Sequence, residues 1–492
     1  MSSISVVLPY NPNLDFQNTL KQFFTSSLVQ KIFVVHGGDF AGSYPNCEGV
    51  RSDAFTSGKT VNELIAKIKT DFVLFATRSQ EIQLGQSALE RLVALAELPG
   101  VGMVYADYFD VKNGIRSEHP VNDYQFGSIR DGFDFGPLML FGTAAIRKAL
   151  KRYGAISIVE RAGLYDLRLK VSIDHSLFHI QEYLCTAVES DLRKTGEKLF
   201  DYVDPKNRQV QIELEDVATR HLKNVEVYLK PKFKKVPKST AAFVTEASVI
   251  IPVRNRELTI GDAVNSVMKQ KTDFPFNIIV VDNHSTDGTT RILSDLSGQN
   301  RLVKHLIPSR QDLGIGGCWN EAVQSEYCGR YAVQLDSDDI YSGDTTLQKV
   351  VDLFRGGHYA MVIGSYKLVN MKLEEIPPGL IDHKEWTPGN GRNNALRING
   401  LGAPRAFNTA LLREVKLPNV SYGEDYAVAL RLSREYQIGR IFEPIYLCRR
   451  WEGNTDAALS VEKANRNDSY KDRIRTIEML ARQQMNRSGK KG

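Results

Sequence analysis

An internal repeat constrains this chain more than any single motif. Ser3-Ile4-Ser5-Val6-Val7-Leu8-Pro9-Tyr10-Asn11 is echoed by Ala247-Ser248-Val249-Ile250-Ile251-Pro252-Val253-Arg254-Asn255, each an apolar run ending at proline. Lys31-Ile32-Phe33-Val34-Val35-His36 and Asn277-Ile278-Ile279-Val280-Val281-Asp282 come next, each entering a turn. Helix-then-strand patterns follow over 62–75 and 320–335, then 101–105 and 359–363, and finally 182–185 and 445–448. Because the order is preserved, two α/β domains of one architecture are expected, each with a mainly parallel, twisted sheet.

A chain of 492 residues exceeds what one core usually serves, which agrees with two domains. The expected division is a first domain over 1–192, a charged helical to extended linker over 193–246, a second domain over 247–456 and a charged helical tail over 457–492. The linker contains the basic run Tyr228 to Lys238, which reads as solvated chain with anionic lipid headgroups as the alternative partner. In the tail, Ile474, Ile477, Leu480 and Ala481 recur at helical spacing, and this narrow stripe is expected to pack on the fold. The end, from Arg487 to Gly492, reads as frayed.

The net charge of +5 is small for this length and gives no footprint for nucleic acid. Five scattered cysteines without Cys-x-x-Cys spacing point to a reducing compartment and no zinc site. With no apolar run of membrane-spanning length, a cytoplasmic protein is expected, with weak peripheral contact at the inner face of the membrane as the further option.

The halves differ in their acids. In the second, Tyr331-Ala332-Val333-Gln334-Leu335 runs into Asp336-Ser337-Asp338-Asp339, where two carboxylates at i and i+2 past a buried strand could grip a divalent cation. Taken alone, the same letters describe an acidic turn or helix cap. The first half has Phe75-Ala76-Thr77-Arg78-Ser79 there, with a cation in place of the acids, so it is expected to be non-catalytic.

Other pieces of the second half sit where an open α/β sheet collects ligands, at the carboxyl ends of strands. Asp282-Asn283 could accept from a base or a ribose, or simply close a turn. Gln311-Asp312-Leu313-Gly314-Ile315-Gly316-Gly317 forms a glycine-rich turn into a helix, which admits close backbone approach to a ligand. Gly423-Glu424-Asp425 opens a later helix, and its acids could equally just favour that terminus.

In this order and spacing, Pro-x-x-Asn, Val-Asp-Asn-His-Ser-Thr-Asp-Gly, Leu-Gly-x-x-x-x-x-Asn, Leu-Asp-Ser-Asp-Asp and Gly-Glu-Asp, from Ala247 to about Asn454, resemble the family 2 glycosyltransferases of the GT-A fold. The resemblance implies an inverting transferase that moves a sugar from a nucleotide-diphospho-sugar donor with Mn²⁺ or Mg²⁺. The acceptor, whether a glycan, a lipid-linked sugar or a small molecule, is left open. The first half would be a degenerate copy of the same fold. By the resemblance, Pro252, Val253 and Arg254 line the nucleoside pocket, Asp282 and Asn283 hold base and ribose, and Gly314 and Asn320 flank the donor. Asp336 contacts ribose or metal, Asp338 ligates the metal, Asp425 is the general base and Glu424 orients it or binds the acceptor.

Two departures stand out. Asn283 replaces a second Asp that relatives often carry, and Trp451 stands where many have a metal-binding His, with Arg449 and Arg450 beside it as candidates for the diphosphate. The Gly/Asn-rich stretch from His383 to Pro404 reads as a loop over the site, where Trp386 and Arg392 could meet sugar or phosphate. The competing functional classes are a non-catalytic, regulatory sugar-nucleotide-binding protein and a nucleotidyltransferase. Retention of Asp336, Asp338 and Asp425 together argues against the first, and the weak basic character of Pro252-Val253-Arg254-Asn255 argues against the second.

Overall fold

The structure, a computed structural model, describes residues 2–12, 14–38, 40, 44, 46–52, 54–188, 204–237, 242–454 and 457–488. Residues 193–203 of the expected linker, its Lys238 and the end beyond 488 lie outside the described residues. The chain divides into two compact units: Met1–Lys198 with Gln209–Tyr228 and Leu459–Gly492, and Leu199–Arg208 with Leu229–Ala458.

The first unit holds β1 (Ile4–Pro9), β2 (Val29–His36), β3 (Cys47–Arg51), β4 (Phe72–Ala76), β5 (Ile82–Leu84), β6 (Val101–Lys112), β7 (Ile115–His119), β8 (Leu138–Gly142) and β9 (Ser176–Val188). In the second are β10 (Ala247–Val253), β11 (Phe276–Asp282), β12 (Val303–Leu306), β13 (Tyr331–Gln334), β14 (Ile340–Tyr341), β15 (Tyr359–Val369), β16 (Glu375–Ile381), β17 (Arg405–Asn408) and β18 (Gln437–Arg449). The spatial orders are β3-β2-β1-β4-β8-β6-β9-β5 and β12-β11-β10-β13-β17-β15-β18-β14, with β7 on β6 and β16 on β15. Strand for strand, the two orders are the same.

Each sheet is mixed rather than mainly parallel. Pairing is parallel around the first strand of each unit, as in β10 with β11 and β13, then antiparallel on both sides of β17. β8 and β17 each follow an irregular segment instead of a crossover helix, so neither is delivered in the parallel sense. The central strands are buried on both faces: Ile278, Ile279, Val280 and Val281 are fully enclosed, as β-branched runs between covering helices should be.

The register also refines the comparison of the halves. Ile4 pairs with Phe72 and Ala247 with Tyr331, so counting forward sets Thr77 against Asp336 and Ser79 against Asp338, with Arg78 against Ser337. Arg78 therefore stands one position from where the sequence comparison puts it. Its guanidinium donates to the Tyr108 hydroxyl at 3.1 Å.

The helix Val461–Ser488 belongs to the first unit, and of its apolar stripe Ile474 is buried and Ala481 half-buried. Ile477 and Leu480 are 60% and 53% exposed, whereas Asp472, Arg475, Glu478 and Arg482 are buried. Arg475 pairs with Asp472 and Arg482 with Glu478, each at 2.7 Å, and Asp472 also accepts from the Ser128 hydroxyl at 2.9 Å. Paired charges are what allow this face to be enclosed. The basic connector is likewise pinned: Leu229 exchanges hydrogen bonds with the Asn393 side chain, and the Lys234 N–H donates to the Glu435 carbonyl at 2.8 Å.

Candidate functional site

Strands β10, β11 and β13 of the second unit deliver their carboxyl ends side by side. Pro252 is half-buried, Val253 is buried and Arg254 is exposed, and the Val253 carbonyl accepts from the Asn283 N–H at 2.8 Å. Asp282 is fully enclosed. One oxygen accepts from the Ser285 N–H at 3.0 Å, and the other from the Thr290 hydroxyl at 2.5 Å, with His305 Nε2 at 3.4 Å. Against the burial that would raise it, these bonds hold its carboxyl below the usual range. Asp282 thus braces the turn, while its neighbour is the open group. Asn283 donates to the Leu313 carbonyl at 2.8 Å, and its buried Oδ1 has no protein partner.

Past β13 the three acids have separate surroundings. Asp336 accepts from Gln334 Nε2 at 2.8 Å, and its N–H donates to the Tyr446 hydroxyl. Burial raises its pKa, the charges of Asp338 and Asp425 add to this, and Arg405 and Gln334 oppose it. Asp339 accepts from the Tyr446 hydroxyl at 2.8 Å and the Arg449 N–H at 2.7 Å, and burial beside Asp338 and Asp336 pushes its carboxyl well up. Asp338 faces the segment after β18: Trp451 Nε1 lies 3.4 Å and Asn454 Nδ2 3.2 Å from its Oδ2, with Arg256 Nε at 3.8 Å. Arg449 donates to the Asp338 carbonyl and pairs with Asp262 at 2.8 Å.

This donor set is spare for a metal. Asp339 is engaged, Trp451 offers Asp338 an indole N–H and no metal-ligating atom, and among the described residues no group of three or more His, Cys, Asp and Glu side chains converges. It would suit a hard cation that takes one or two carboxylates and completes its shell with phosphate oxygens and water, for which Asp338 and Asp336 are the candidate ligands.

Opposite lies the helix Glu424–Glu435, entered through Gly423 at φ 78°. Asp425 Oδ2 is 2.9 Å from Arg405 Nη1, and its Oδ1 accepts from the Tyr426 N–H at 2.7 Å. Glu424 is 9% exposed, its Oε2 has no partner, and burial beside the Asp425 charge pushes its carboxyl up to about 8. Arg405 sits among Asp425, Asp336 and Glu424, whose charges hold its proton despite burial.

The glycine turn does something other than bare backbone to a ligand. A Cβ on Gly316 would overlap the Pro418 carbonyl oxygen, and the Gly314 N–H donates to Asn419 Oδ1 at 2.8 Å. Asn320 donates to the Leu417 carbonyl at 2.8 Å and accepts from the Leu417 N–H at 3.0 Å. The turn and its helix therefore hold the 417–421 segment that leads to Glu424 and Asp425.

Trp386 and Arg392 do not face the acids. Trp386 is buried, with Gly391 against its ring and the Arg440 guanidinium 5.9 Å from it. Arg392 lies over Phe233 and donates to the Lys230 and Arg434 carbonyls. A loop rich in Gly and Asn is here folded inward, around the short helix Gly391–Asn394. Sequence reasoning assigns no role to Arg405, Gln334, Tyr446, Arg256 or Asn454, because each reaches the site through sheet pairing or a fold-back of the chain and not through a local chemical pattern.

Residues 248–417 match the model of the family described as Glycosyl transferase family 2. An uncharacterized glycosyltransferase of Rickettsia conorii is 26% identical over 202 residues, which is 40% of this chain and 32% of that protein. The UDP-Glc:alpha-D-GlcNAc-diphosphoundecaprenol beta-1,3-glucosyltransferase of Escherichia coli is 26% identical over 198 residues, 39% of this chain and 72% of that one. Among solved structures, residues 1–349 of S. aureus TarS in complex with UDP align at 25% identity and a TM-score of 0.37, covering 48% of this chain and 65% of that one. The chain thus spans about a third of the Rickettsia protein's length and just under two thirds of the TarS chain.

Proposed function

We propose, from the premise that residues 248–417 form a glycosyl transferase family 2 domain, that the protein moves a sugar from a nucleotide-diphospho-sugar donor to an acceptor hydroxyl in glycan synthesis, with inversion at the anomeric carbon. The observation that carries this reading is the meeting of Asp336 with the Glu424–Asp425 pair around Arg405, beside Asp338 at the same strand end. One carboxylate group serves the donor and the other the acceptor.

In this reading the nucleoside lies along Pro252, Val253 and Arg254, and the unpartnered Asn283 Oδ1 accepts from the base, while Asp282 supports the turn beneath. Asp338, with Asp336, would hold Mg²⁺ or Mn²⁺ against the diphosphate. Such a cation supplies positive charge where the leaving diphosphate accumulates negative charge. Arg256, next to Asp338, adds a guanidinium on the same side. Asp425 removes the proton of the acceptor hydroxyl as its oxygen attacks the anomeric carbon on the face opposite the diphosphate, so the configuration inverts. Glu424, neutral at pH 7, keeps a proton to donate to the acceptor.

An acceptor sugar on a lipid diphosphate is the form we favour, since the E. coli relative is named for one. The protein would meet it peripherally, at the inner face of the membrane; no helix among the described residues is long and apolar enough to cross a bilayer. The first unit, with Thr77 and Ser79 where the second has Asp336 and Asp338, would serve as a non-catalytic platform.

A screen of UDP-, GDP- and dTDP-sugars by calorimetry with Mn²⁺ or Mg²⁺, followed by nucleoside diphosphate release, tests the proposal. One donor class should bind and turn over, and Asp338→Ala should lower turnover about a hundredfold or more. Binding of no donor with either metal would end the transferase reading.

A further inference from the structure

Arg405 is tied down on three sides. Its backbone N–H donates to Gln334 Oε1 at 3.1 Å, and Nε2 of that glutamine donates to Asp336 Oδ1 at 2.8 Å. Guanidinium Nη1 donates to the Gly402 carbonyl at 2.9 Å and reaches Asp425 Oδ2 at the same distance. Gly402 itself has φ 106°, and a Cβ there would press on the Gly364 carbonyl, so only glycine presents its carbonyl to Arg405 in this way. The carboxyls of Asp336 and Glu424 and the Tyr446 hydroxyl also act on its charge. A planar guanidinium held at its backbone and at one nitrogen has little freedom left to wander from Asp425.

We infer that Arg405 is the positioning residue of the general base, fixing the orientation in which the Asp425 carboxylate meets the acceptor hydroxyl, and that Gln334 couples this arm to the donor-side Asp336. The inference rests on Asp425 being the base, as proposed above. Arg405 acts through Asp425 and makes no contact with the reacting atoms. The donor's affinity should therefore owe little to it, and the chemical step much. A misplaced catalytic group costs about a hundredfold even when the fold is intact.

The test uses the full-length protein carrying Arg405→Lys, Arg405→Met, Asp425→Asn and the Arg405→Met/Asp425→Asn double substitution. Steady-state kinetics are measured with the donor found in the screen, and nucleoside diphosphate affinity by calorimetry. Arg405→Met should lower kcat about a hundredfold, with donor KM and nucleoside diphosphate affinity changed less than about threefold, and Arg405→Lys should recover about a tenth of the wild-type kcat. The double variant should be no slower than Asp425→Asn alone, because residues acting as a unit are not additive. A raised donor KM with kcat intact, or a double variant slowed by the product of the single effects, would overturn the inference and leave Asp425 as base untouched. Turnover that survives Asp425→Asn would instead overturn the base assignment, and this inference with it. Should Arg405→Met fail to bind nucleoside diphosphate, Arg405→Gln is measured under the same criteria.

Discussion

Trp451 directs its indole N–H at Oδ2 of Asp338, 3.4 Å away. The contact orients the proposed metal ligand instead of adding one. Trp451→Phe keeps the ring and removes the donor, and should weaken metal activation about tenfold, the scale for losing a hydrogen bond to a ligand. Trp451→His should tighten it. Mn²⁺ titration of nucleoside diphosphate release reads both, and an unchanged titration in Trp451→Phe would separate Trp451 from the metal.

Glu424 has a pH signature in stability. Its carboxyl goes from 4.5 to about 8 on folding, because burial and the Asp425 charge disfavour ionisation. Between these values the folded state binds the proton and the unfolded state does not, so wild-type stability falls as pH rises across that window. Glu424→Gln lacks this dependence. Its Tm advantage over wild type should grow from about pH 5 to about pH 8 and then level off. A constant difference would mean Glu424 ionises normally.

In the first unit, His119 also loses stability as pH rises, but there it is the charged form that folding favours. Burial opposes its charge, but hydrogen bonds to Asp110 and Asp134 outweigh burial and raise it from 6.5 to about 9. Its stabilising contribution is complete below the unfolded value and is lost as pH rises through about 9. His119→Gln should flatten the Tm profile between about pH 6.5 and about pH 9. Thermal melts across that range decide it.

Gly316→Ala would drive a methyl into the Pro418 carbonyl and shift the segment that carries Asp425. We expect kcat to drop about a hundredfold with nucleotide binding largely kept. Wild-type kcat in Gly316→Ala would show that the turn has no hold on the base.

Removing one partner of the buried Asp472–Arg475 pair should be severe. Asp472→Ala removes the buried carboxylate that Arg475 and Arg130 share, a loss of about 3–5 kcal/mol in chemical denaturation. A loss within about 1 kcal/mol would mean the helix Val461–Ser488 contributes little to the first unit.

The repeat was legible because enclosed β-branched runs such as Ile278–Val281 leave a plain signal, and the two strand orders reproduce it. The strand-end acids were legible for the same reason, being anchored to those runs. Arg405 was not, since its link to Gln334 follows from the antiparallel pairing of Val333 with Ala406, a register that no local pattern announces. The buried face of the last helix was legible only in part: apolar periodicity found Ile474, but it also pointed to the exposed Ile477 and Leu480, while paired charges took much of the interior. The role proposed for Asn283 was blurred by Asp282 beside it: the charged residue is the obvious ligand by letter, yet its oxygens accept from Ser285 and Thr290.

The central claim is that Asp425 is the base of a sugar transfer. Nucleoside diphosphate release with donor, divalent cation and acceptor, measured for wild type and Asp425→Asn alongside donor affinity, tests it most directly. The account predicts that Asp425→Asn binds donor within about threefold of wild type and turns over about a thousandfold more slowly. Equal turnover by the two proteins would contradict it.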